Sequence, residues 1–131
     1  MTSESEARFR DAERQLDDAL RRDREAIVSG GIEVFDDSRR LCHYKNESLS
    51  WSLRFEARRS RGSAVEKVWG LLSVSERDPT VVTLFRRAEV FEIGQSPRWQ
   101  KTDERTVSLQ ALLWIGLGTT IAQEVEEGRA E

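Results

Sequence analysis

Cysteine and histidine occur once each, as Cys42 and His43, and that scarcity removes several chemistries at the outset. One cysteine excludes an internal disulfide. Histidine metal sites and nucleophilic triads need partner residues at set spacing, and His43 has only Cys42 beside it. Neighbouring side chains of a strand point to opposite faces, so this pair makes a poor dyad. Both read as ordinary strand residues, with Cys42 a small buried one. Lysine is scarce too, at three residues against eighteen arginines. The N-terminus, Met-Thr-Ser-Glu-Ser-Glu, lacks the basic start and apolar run of a signal peptide, so the expected compartment is the cytoplasm. No apolar run reaches the ~18–20 residues of a membrane span.

Apparent motifs are weak. Asp36-Asp37 lacks further oxygen ligands at recurrent spacing and reads as a solvated turn. Gly116-Leu117-Gly118 follows no strand and is not a dinucleotide loop. Two glycines inside a helix each cost ~1 kcal/mol relative to alanine. Close packing against the first helix or the sheet would offset that, and a break in the helix is the alternative. No catalytic residue, metal ligand or cofactor is assigned, which points away from an enzyme.

At 131 residues the chain reads as a single domain. Four tryptophans and five phenylalanines argue for packing rather than disorder. The net charge of −3 hides an asymmetry, because residues 38–101 are basic and both flanks are acidic. Acidic helices lying near a basic sheet would balance it internally; an anionic partner is the other reading.

The periodicities predict an α+β fold. Phe9, Ala12, Leu16, Ala19, Leu20 and Ile27 recur at helical spacing, so an amphipathic helix is expected over about 3–29, capped by Ser3 or Ser5. At 1.5 Å per residue it is about 35–40 Å long, longer than the strands, so part of it either overhangs toward a partner subunit or frays as a solvated first turn or two. An antiparallel meander of four to five strands is expected within 32–92, including a short strand from Arg39 to Tyr44. Its clearest strand alternates Leu49, Trp51, Leu53, Phe55 and Ala57 with polar residues, one face buried and one wet. Gly70 suggests a bulge or bend, and the alternation breaks near Trp69 and again near Arg86. A loop over 94–102 leads to a helix over about 103–127. That helix is apolar all round at Ala111 to Gly118, so it should be covered all round, on the concave face of the sheet.

Three functions follow. The first is a small, non-enzymatic, homodimeric protein-interaction module, motivated by the long first helix and the apolar last one. The second is a small-ligand-binding protein or enzyme, with Trp69, Trp99 and Trp114 lining a pocket between C-terminal helix and sheet. The third is nucleic-acid binding through Arg54, Arg58, Arg59 and Arg61, an anion or partner surface. It is the weakest, because the wet face of the Arg54 strand carries no aromatic for base stacking. The expected partner is a second copy or another protein, not nucleic acid or a membrane.

Overall fold

A computed structural model describes residues 4–35 and 49–129. Helix α1 spans Glu4–Ser29, and strand β1 Glu33–Phe35 follows it. Strands β2 Ser50–Arg61, β3 Ala64–Ser75, β4 Asp78–Phe91 and β5 Trp99–Ser108 come next. Helices α2 Leu109–Ile115 and α3 Leu117–Gly128 close the chain. The five described strands pair antiparallel in sequence order, an α+β meander. The expectations at Ser3, Asp36, Asp37, Cys42, His43 and the Arg39–Tyr44 strand fall outside the described residues. No described helix is long and apolar enough to cross a membrane.

The three described helices pack on one face of the sheet, and the core lies between the layers. From the sheet come Trp51, Leu53, Phe55, Val68, Leu72, Leu84 and Ala88. From the helices come Phe9, Leu16, Leu20, Leu112, Leu117 and Ile121. The alternation at Leu49–Ala57 therefore points as expected, with Trp51, Leu53 and Phe55 fully buried. Buried side chains run along α1 from Phe9 to Ile27, so most of the helix lies over the layer it covers, while Glu4, Ser5, Ala7 and Arg8 ahead of them are exposed.

Several local expectations need correction. Residues 99–108 form an edge strand, and the helix expected from Asp103 begins at Leu109. The inward positions of β5 include Lys101, Asp103 and Arg105, which lie opposite Ala88, Arg86 and Leu84. An inward face filled with charge shows no hydrophobic alternation, which hid the strand. Nor do the phase breaks at Trp69 and Arg86 exist. Alternation continues through both strands, because Trp69 points outward and Arg86 inward. Gly70 sits in regular register between Phe55 and Arg86, and the irregularity in the β3–β4 ladder lies at Ser73/Ser75. Glycine is needed at position 70 because the Phe55 ring packs onto its backbone.

The C-terminal helix is neither continuous nor covered all round. Gly116, at φ 110°, breaks it, a conformation that only glycine adopts without strain. Ser108 caps α2 by accepting from the Ala111 N–H. The break leaves Trp114 91% exposed and Ile115 53% exposed. Gly118 lies against Asp23 of α1, where an added Cβ would meet the Asp23 Cβ at 3.2 Å. Its N–H donates to Asp23 Oδ2 at 3.0 Å, so a carboxylate from α1 caps the first turn of α3.

That cap has a pH signature. Burial raises the Asp23 pKa, but the Gly118 N–H and Arg22 outweigh it and hold the carboxyl below its ordinary value. A carboxyl with a lowered folded pKa stabilises above its unfolded value and loses that contribution as pH falls through the folded one. Asp23→Ala should therefore cost about 1 kcal/mol at pH 7. The difference from the unmodified chain should shrink as pH falls through and below the ordinary carboxylate range, because the Asp23 carboxyl is held below its usual value. Thermal melts at pH 7, 4 and 2.5 check this, and a gap independent of pH would exclude the cap.

Candidate functional site

Antiparallel sheets that expose one face to water usually carry polar side chains there. The outer face of this sheet departs from that habit at its centre. Strand β3 presents Val65, Trp69 and Leu71 outward, and β4 presents Val81, Phe85 and Phe91, all half-buried. The Trp69 and Phe85 rings meet at 5.2 Å between centroids, tilted by 50°. The flanking strands are polar on this face. Ser50, Ser52, Arg54, Glu56 and Arg58 project from β2, and Gln100, Thr102, Glu104 and Thr106 from β5. An apolar centre with a polar rim is the anatomy of a protein interface.

Among the described residues, charge on this face is balanced. Arg54, Arg58, Lys67 and Arg87 stand against Glu33, Glu56, Glu89 and Glu104. Glu56 is the hub, 3.0 Å from Lys67 Nζ, 3.6 Å from Arg58 and 3.8 Å from Arg54. Burial raises the Glu56 pKa, yet Lys67, Arg58 and Arg54 together hold it below the usual carboxylate range. Arg87 pairs with Glu89 at 2.8 Å. The Arg54 guanidinium lies over Trp69 at 5.0 Å and over Phe35 at 5.7 Å. Its Nε is buried and donates no hydrogen bond among the described residues.

The residues singled out from sequence do not converge as two clusters. Arg54 and Arg58 lie on the outer face. Arg59 and Arg61 lie on the inner side of β2 and clamp the buried Glu66 at 2.6 and 3.2 Å. Trp69 is on the outer face, Trp114 is exposed at the end of α2, and Trp99 lies inward on β5 beside the end of α3. The outer face does carry aromatics beside Arg54, contrary to expectation. They come from β1, β3 and β4, so only the strand register brings them to it.

A second charged cluster lies inside. Arg86, on the inner face of β4, donates to Glu124 at 3.0 Å and to Asp103 at 2.9 Å, and Arg105 also pairs with Glu124. Trp51 Nε1 donates to Asp17 of α1 at 3.0 Å. Acidic helices thus meet part of the sheet's polar inventory, while Glu56, Glu66 and Glu89 balance the rest within the sheet itself. The described residues hold no group of three or more His, Cys, Asp or Glu side chains placed to share a metal ion. Compared with protein-family models, curated proteins and solved structures, the chain matches none.

Proposed function

We propose that the chain is a small non-enzymatic interaction module that pairs with a second copy of itself through the outer face of the sheet. The observation that carries this is the half-buried apolar centre on β3 and β4, left without a described helix over it and ringed by polar β2 and β5. Central strands that carry Trp69, Leu71 and Phe85 on the face away from the helices suit a sheet covered in part on both sides. Charge selects the occupant. The cations of this face are already paired with carboxylates on it, which gives a polyanion little to neutralise. Equal numbers of both signs among the described residues suit a self-complementary two-fold contact, in which each patch meets its own copy. Two such faces would stack about 10 Å apart, like the layers of a sandwich. The cytoplasm stays the proposed compartment, in keeping with the charge-rich sequence.

Leu71→Arg tests this, because Leu71 points outward and its replacement should leave the inner core intact. A charge buried unpaired at an interface centre costs several kcal/mol, so the variant should elute as a folded monomer with an unchanged circular dichroism spectrum. Trp114→Ser should leave the dimer intact. If Trp114→Ser dissociates it and Leu71→Arg does not, the contact belongs to the exposed end of α2 and the proposal fails.

A further inference from the structure

At the end of the sheet beyond α3, an open cleft of about 580 Å³ gathers four cations, Arg61, Arg98, Lys101 and Arg129. Val90 and Trp99 supply its apolar wall, and Trp99 also packs partly on the core. The chain's local geometry builds it. The Arg98 N–H donates to the Val90 carbonyl at 2.9 Å and closes the β4–β5 connection. Val90 then stands opposite Trp99, and Ala88 opposite Lys101, so Trp99 and Lys101 share the inner face. Beyond Gly128, Arg129 brings its own cation to the same place.

Two of the cations are accounted for internally, since Arg61 pairs with Glu66 at 3.2 Å and Arg129 with Glu126 at 2.9 Å. Arg98 and Lys101 have no carboxylate partner among the described residues. Glu127 is the one acid in the wall, and it is drawn toward Arg86 at 3.4 Å. Like charges brought together in a chain of net charge −3 repel one another, and an anion relieves that repulsion. The negative end of the α3 dipole offsets only part of it.

We propose that this cleft binds a free nucleotide, the phosphates held by Arg98, Lys101, Arg61 and Arg129 and the base against Trp99. Arginine's planar fork suits phosphate oxygens, and the two cations without a described carboxylate partner, Arg98 and Lys101, match the charge of a diphosphate better than that of one carboxylate, with Arg61 and Arg129 adding donors. An aromatic wall beside the cations fits a planar ring attached to those phosphates. This site is separate from the outer sheet face, and neither reading rests on the other.

Titration calorimetry in about 50 mM salt tests it, with pyrophosphate, ADP and citrate as ligands and no metal added. We expect one ADP per chain, weakened by added salt, with pyrophosphate weaker and citrate weaker still. Arg98→Glu combined with Lys101→Glu should lower ADP affinity about 100-fold or more without moving the melting temperature, because both side chains are exposed. Trp99→Leu should cost ADP about tenfold and leave pyrophosphate unaffected. Three results would overturn the proposal: no heat with ADP at millimolar concentration, equal affinity in the charge-reversed variant, or citrate binding as tightly as ADP. A 5′-phosphorylated oligonucleotide binding far more tightly than ADP would also overturn it, in favour of nucleic acid.

Discussion

Gly70→Val should abolish the native fold at room temperature. A Cβ at position 70 would lie 2.3 Å from Phe55 Cζ and 2.6 Å from the carbonyl oxygen of Phe85. The first neighbour is a fully buried ring with nowhere to go, and the second is backbone in the middle of β4. Overpacking of well-filled cores costs ~1–3 kcal/mol or more. Here the sheet itself must also shift, so even Gly70→Ala should lose about 3 kcal/mol or more. A domain whose whole stability is ~5–15 kcal/mol does not carry the valine on top of that. Urea denaturation of Gly70→Ala, with and without Phe55→Ala, isolates the cause. The two changes should be strongly non-additive, because removing the ring removes the larger clash. Simple additivity would mean that Gly70 is small for another reason.

The second large effect belongs to the ion cluster under α3. The Arg86 side chain is 6% exposed and that of Glu124 3%. Glu124→Leu leaves Arg86 facing Asp103 and Glu127, both much more exposed. Breaking a buried pair from one side costs ~3–5 kcal/mol, and Glu124→Leu should fall within that range. Replacing both partners, Arg86→Met with Glu124→Leu, should recover most of the loss, since a matched apolar pair carries no desolvation penalty. The Arg86 stem lies under Gly128, where an added Cβ would be 2.8 Å from its Cδ, so Gly128→Val should add to the damage. Raising salt should change these differences little, because buried charges are poorly screened. A double variant as unstable as the single one would show that the pair does not act as a unit.

What could be read from sequence was what depends on near neighbours. The stripe from Phe9 to Ile27 and the alternation from Leu49 to Ala57 are local periodicities, and both face inward as expected. Strand β5 was missed because its inward Asp103 and Arg105 are matched by Arg86 and Glu124, partners far away in sequence. Trp114 was expected under cover, because an apolar run reads as buried. The left-handed turn at Gly116 instead directs it to solvent. The outer face was hidden for a related reason. Phe35, Arg54, Leu71 and Phe85 come from four strands, and only the ladder register lines them up in one row across the sheet. Nothing in the order of residues announces such a row.

The mass of the unmodified chain in solution bears most directly on the proposed role. Light scattering should be recorded across a dilution series from about 100 μM to 0.1 μM, a range set by the affinities of ordinary protein interfaces. Trp69 emission should be followed in parallel, in a variant whose other tryptophans are replaced by phenylalanine. Twice the 15.1 kDa chain mass is expected at the upper end. On dilution the mass should fall to that of one chain while Trp69 emission shifts to the red, as the outer face meets water. A mass of one chain at every concentration, with Trp69 emission unchanged throughout, would contradict that role.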